Sequence, residues 1–136
     1  MAAYRGKISG PLLDRIDIIV EVPAVHYEDL QAREETESSA SIKARVNKAR
    51  LVQQERYKDR AITCNSRMGP DELREYCKLD KTGHTLMEEA FNDYGLTARS
   101  YDRILKVART IADIEGSKDI LPAHICEAIQ YRTINI

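Results

Sequence analysis

Nowhere in the 136 residues is there an apolar run near the ~18 to 20 needed to cross a bilayer, and Met1-Ala2-Ala3-Tyr4 lacks the charged and apolar parts of a secretory leader. The expectation is a cytoplasmic chain with no membrane partner. Charge of one sign is missing too. The 21 Lys and Arg face 22 Asp and Glu, which excludes a generally polybasic nucleic-acid binder and leaves only a local basic face open. Cysteine is sparse, and the three present, Cys64, Cys77 and Cys126, are odd in number and far apart, so a disulfide framework is not expected. Neither they nor His26, His84 and His124 show a Cys-x-x-Cys or His-Glu-x-x-His spacing. No metal site is expected, and a small thiol or metal enzyme has little support. Gly6-Lys7-Ile8-Ser9 lacks the upstream glycine frame of a phosphate loop, and without that cradle of backbone N–H groups it is an accidental match.

What is present suits one helix-rich domain: 43% hydrophobic and 32% charged residues build a modest core under a polar surface. Gly10 to Val22 reads as a short helix turn feeding a strand, with Ile16, Ile18, Val20 and Val22 on one face and Pro23 as its end. No second strand follows, so this one is an orphan, as at the edge of a larger protein. Residues 24–40 form an acidic connector. Ser38 or Ser39 then caps a helix running to about Tyr57, with Ile42, Arg45, Val46, Ala49, Val52 and Arg56 along one stripe. A loop over 59–69 leads to a helix opened by Pro70. The next begins at Thr82 or Thr85 and ends at Gly95, with Leu86, Met87, Ala90 and Phe91 inward; Thr97 caps the longest, which stops at Gly116; Pro122 opens the last, which turns Ile125, Ala128 and Ile129 inward. The fold class is therefore mainly α: a helix turn and orphan strand, then a bundle of about five helices.

Two features carry potential chemistry. On the longest helix, steps of 100° place Tyr101, Leu105, Ala108 and Ala112 on one side and Arg99, Arg103 and Lys106 on the other, with Arg109 at the edge of that stripe. Such a stripe is either a solvated face or a phosphate-contacting one. Seven basic residues, Lys43, Arg45, Lys48, Arg50, Arg56, Lys58 and Arg60, also crowd the span 41–60 against Glu55 and Asp59. A free-standing helical DNA-binding module is the alternative function that these two features allow. Arg15, flanked by Asp14 and Asp17, reads by itself as half of a surface ion pair.

Lys7-Ile8-Ser9-Gly10-Pro11-Leu12-Leu13-Asp14-Arg15-Ile16-Asp17-Ile18, the run from Leu96 to Asp113, and His124-Ile125-Cys126-Glu127-Ala128-Ile129-Gln130-Tyr131-Arg132 together resemble the C-terminal part of ComM/YifB-type, magnesium-chelatase-related AAA+ ATPases. The resemblance covers nearly the whole chain from about Tyr4. It implies that 1–23 is the last helix and strand of a truncated AAA+ core, 24–40 the connector and 41–136 a helical lid. It implies an arginine-finger role in trans for Arg15, a sensor-2 role toward nucleotide for Arg99, and a second-rank nucleotide role for Arg103. The phosphate loop and the acidic metal-holding strand of the family have no match here, so the chain alone is expected neither to hydrolyse ATP nor to hold it or Mg²⁺. Its implied partners are an AAA+ core, the neighbouring subunits of a ring, expected to be a hexamer, and DNA as the motor's substrate.

Overall fold

The computed structural model describes residues 15–24, 27 and 36–133. Five α-helices make up the described bundle: α1 (Ser39–Arg56), α2 (Pro70–Tyr76), α3 (Lys81–Tyr94), α4 (Ala98–Glu115) and α5 (Pro122–Thr133), with a single 3-10 turn at Asn65–Arg67 between the first two. Each boundary has a local cause. Ser38 Oγ accepts the Ser41 N–H at 3.2 Å and Thr97 Oγ1 the Ser100 N–H at 3.2 Å, supplying two helix starts with side-chain acceptors. Gly95 (φ 59°) and Gly116 (φ 75°) end α3 and α4 in the left-handed region, which glycine enters without a steric penalty. At the start of α3 the cap is Asp80 rather than a threonine. Its Oδ1 accepts the Gly83 N–H at 2.7 Å, a charge-assisted bond that suits a helix N-terminus better than a hydroxyl does.

α4 is the axis around which the bundle is built, and α1, the 3-10 turn, α2 and α5 all pack against it. Ala108 and Ala112 are wholly buried, and their small side chains let neighbouring helices approach closely; Ile104, Leu105, Ile125 and Met87 fill the space around them. α3 sits against α5 rather than α4. It buries Gly83, Met87 and Ala90 but leaves Leu86 only partly covered and Phe91 39% exposed, so its inward face lies further toward its N-terminus than the sequence pattern implies.

The stripe on α1 is not covered along its length, because Ile42, Val46 and Val52 are exposed and only Ala49 and Gln53 are buried. Every residue from Ser39 to Lys48 is exposed, so the first half of α1 stands clear of the bundle. Nor do residues 16–22 form a strand, since a strand needs a partner ladder and the described residues contain none. The segment instead lies across α4 and α5 with Ile19 half-buried, while Ile16, Ile18, Val20 and Val22 turn outward. The Ile19 N–H donates to Tyr131 O at 2.9 Å, so an extended chain's spare donor meets a carbonyl in the last turn of a helix that lacks one. The helix turn expected before Arg15 and most of the 24–40 connector lie outside the described residues. No helix among the described residues is long and apolar enough to cross a membrane.

Burial pushes two acids in the core up to about 12, the Tyr57 phenol and the Cys77 thiol. Both are neutral in the native state and ionise more easily once exposed, so their contribution is complete below about pH 9 and is lost as pH rises toward about 12. Urea midpoints measured from neutral to strongly alkaline pH are expected to start falling near pH 9, and Cys77→Ala moves that onset up toward pH 10, where the phenol takes over. An unchanged onset in the variant counts against a thiol that stays protonated by burial.

Candidate functional site

The head of α4 gathers most of the residues singled out in the sequence. Arg99, in the first turn, is exposed, and no hydrogen bond or ion pair engages its guanidinium among the described residues. Arg15 is also exposed, on the turn that begins the segment laid across the bundle, and its side chain is likewise uncommitted. Arg103, one helical turn below Arg99, points at that segment. Its Nη1 donates to Arg15 O at 3.0 Å and forms an ion pair with Asp17. Arg132 approaches from α5, 5% exposed, donating through Nη1 to Ile16 O and through Nη2 to Ser100 Oγ at 3.0 Å. Arg15, Arg99 and Arg103 are thus brought to one end of the bundle, and Arg132, which periodicity alone does not mark, is part of the same cluster.

The remainder of the basic stripe on α4 divides, since Lys106 stays partly exposed and donates to Ser66 O at 3.3 Å, whereas the residue at the stripe's edge is enclosed. Arg109 is only 3% exposed, because α4 is enclosed on several sides and has no single wet side. It belongs to a buried polar cluster around Asp113, whose side chain is wholly inaccessible. Asp113 Oδ1 accepts Arg56 Nη2 at 2.5 Å and Arg109 Nε at 3.1 Å; Oδ2 accepts Arg56 Nη1 at 2.7 Å and Asn65 Nδ2 at 2.8 Å. The Asp113 carboxylate raises the Arg56 guanidinium above its usual value by direct hydrogen bonding. Asn65 Oδ1 receives the Tyr57 hydroxyl at 2.7 Å, Gln53 Oε1 the Asn65 N–H at 3.1 Å. Arg109 also donates to Lys118 O (2.8 Å) and Ser117 O (2.7 Å), closing the loop after α4. No buried side-chain nitrogen or oxygen among the described residues lacks a partner. The sequence signal for this cluster was the i,i+4 pair Arg109 and Asp113; Arg56 joins it from 57 residues away.

Four of the seven bases in 41–60 have carboxylate partners: Arg56 in the buried cluster, and Arg45 with Glu37 (2.6 Å), Lys58 with Glu55 (2.6 Å) and Arg60 with Glu75 (2.5 Å) in exposed pairs. His124 is a core residue whose Nδ1 accepts the Leu121 N–H at 2.9 Å, while Nε2 donates to Glu115 at 2.8 Å. Cys64, Cys77 and Cys126 are free thiols, and Ser66 Oγ, 3.1 Å from Cys64 Sγ, lowers that thiol below its ordinary value. No group of three or more potential metal-ligating side chains occurs among the described residues. Among the described residues, one groove of about 290 Å³ lies beside Val46, Arg50, Cys64 and Thr110, and another of about 260 Å³ beside Arg56, Tyr76, Lys78 and Arg109; Arg15, Arg99 and Arg103 line neither of these.

Residues 36–132 match the family model described as magnesium chelatase, subunit ChlI C-terminal, and residues 1–30 match that of magnesium chelatase, subunit ChlI. The chain is 39% identical over 132 residues to competence protein ComM of Haemophilus influenzae, covering 96% of this chain and 25% of that protein. It is 39% identical over 133 residues to the uncharacterized protein YifB of Escherichia coli, covering 97% and 26% respectively. An uncharacterized protein of Mycobacterium tuberculosis is 28% identical over 129 residues. The chain spans about a quarter of the length of these curated relatives.

The two groups of arginines differ in what they do for stability. Asp113→Asn, which removes the counter-charge of buried Arg109 and partly buried Arg56, is expected to cost about 3 to 5 kcal/mol in urea denaturation. Arg99→Ala, at an exposed site, stays within about 0.5 kcal/mol of the parent. Equal losses in the two variants would contradict the division.

Proposed function

Since this chain belongs to the magnesium chelatase family, we propose that it serves as the C-terminal lid and subunit-interface portion of an oligomeric AAA+ ATPase. In this reading residues 1–23 complete the core domain, 24–40 connect, and 41–136 form the lid. Arg15 is the arginine finger reaching nucleotide on a neighbouring subunit, and Arg99 is the sensor-2 residue. The observation that carries the reading is the contrast among the cations at the head of α4. Arg103 and Arg132 are committed within the chain, whereas Arg15 and Arg99 are exposed and uncommitted among the described residues. The outward apolar face of Ile16, Ile18, Val20 and Val22 adds to it, because an AAA+ core would cover that face on folding.

The chemistry asked of these side chains is charge stabilisation. Phosphoryl transfer spreads negative charge over the equatorial oxygens, and a fixed, always-charged guanidinium meets it without reorganisation. At Arg99 the positive end of an 18-residue helix reinforces the guanidinium. In this reading Mg²⁺ is held by the core domain of the parent ATPase, as the family resemblance implies. Action of the motor on DNA belongs to the same reading, by the resemblance to ComM/YifB-type ATPases.

The reading is tested in a full-length family protein that carries this sequence as its C-terminal part. Arg15→Ala is expected to lower ATP turnover by on the order of 10³, and Arg99→Ala to remove most of it, with the lid's helical content unchanged. Wild-type turnover in both variants refutes the assignment.

A further inference from the structure

The two uncommitted arginines are joined by an unbroken set of hydrogen bonds. Ser100, adjacent to Arg99, accepts Arg132 Nη2 at 3.0 Å, and the same guanidinium donates through Nη1 to Ile16 O, the carbonyl next to Arg15. Arg103, one turn along α4, takes Arg15 O at 3.0 Å and pairs with Asp17. Ile19 N–H completes the attachment on Tyr131 O at 2.9 Å. Four backbone and side-chain acceptors within residues 15–17 and at Ser100 are therefore held by two guanidiniums, Arg132 through both terminal nitrogens and Arg103 through Nη1 alone. Apolar packing along the described residues of this segment is shallow, with Ile16 and Ile18 37% and 50% exposed and Ile19 half-buried.

We infer that Ser100, Arg103 and Arg132 are positioning residues that strap the backbone of Arg15 to the head of α4, so that the finger and the sensor move as one body. This inference rests on the function proposed above and assigns none of the three a contact with nucleotide. Planar forks suit the task. A guanidinium bridges two acceptors at fixed separation, whereas a lysine ammonium offers a point charge on a flexible stem and cannot span Ile16 O and Ser100 Oγ together. The consequence is specific: nucleotide drawn toward Arg99 on one side of the lid shifts the Arg15 turn, and with it the reach of the finger, without any intervening hinge.

Two readouts separate the strap from the function. In the 136-residue chain, amide exchange at Ile19 reports the attachment, and exchange at Leu105 in the core of α4 reports the fold. Arg132→Lys, Arg103→Ala and the near-isosteric Ser100→Ala are each expected to quicken exchange at Ile19 by about tenfold while Leu105 keeps its rate. Should Arg132→Lys also loosen Leu105, Ser100→Ala decides. An Ile19 amide that exchanges as fast in the parent as in Ser100→Ala overturns the strap. In the full-length ATPase the same variants are expected to lower kcat by about tenfold with KM within about twofold, as befits a displaced finger rather than a lost binding contact. Unchanged kcat with a freed Ile19 overturns the positioning role. Wild-type turnover in both Arg15→Ala and Arg99→Ala overturns the proposed function itself, in variants that leave the strap's exchange signature intact.

Discussion

A single carboxylate, Asp113, holds three parts of the chain that no other interaction ties so directly. Arg56 comes from the end of α1, Asn65 from the 3-10 turn and Arg109 from α4 itself. Removing such a charge from water is costly, and the attraction of one partner rarely compensates for it. Here four donors converge on the two oxygens, two of them from a bidentate guanidinium, which is the geometry under which a buried ion pair is tolerated. The cost also confers selectivity: any packing of α1 against α4 that misplaces Arg56 leaves an unpaired charge inside, so alternative registers of the same apolar residues are disfavoured.

The path of the remaining chain follows from that junction. With α1 anchored at its C-terminal end, Tyr57 is driven into the core against Tyr76, ring centroids 5.5 Å apart and nearly perpendicular. The Arg109 guanidinium, already oriented by Asp113, turns its remaining donors on Ser117 O and Lys118 O and so sets the loop that delivers α5. α5 in turn carries Arg132 to the opposite end of α4. One helix therefore bears a structural cluster near its C-terminus and the candidate nucleotide-responsive cluster at its N-terminus.

Local grammar made most of the architecture legible. Ser38, Pro70, Gly95, Thr97, Gly116 and Pro122 punctuate the helices because each acts through its own backbone or the next turn, and such effects are written in adjacent letters. The inferences that failed were those about faces. A helical wheel supposes one dry side and one wet side, but α4 is enclosed by several elements, so Arg109 and Asp113 lie inside although both look like surface residues. On α1, conversely, the apolar Ile42 and Val46 are exposed. The orphan strand expected at 16–22 has no ladder among the described residues, and a ladder is a property of what lies beside a segment and not of its residues. Arg15 and Arg99 were marked by resemblance rather than by periodicity, and no local pattern would have linked either of them to Arg132.

The uncovered first half of α1 has a mechanical meaning. The helix is gripped at Ala49, Gln53 and Arg56 and free from Ser39 to Lys48, an overhang of ten residues or about 15 Å at helical rise. A rigid rod clamped at one end is a lever. Rotating the bundle by about 20° about its clamp would sweep the free tip through roughly 5 Å, with no bond in the rod itself broken. Small tilts of the lid would thus be magnified into displacements, comparable to a side chain in length, at whatever surface the tip of α1 touches.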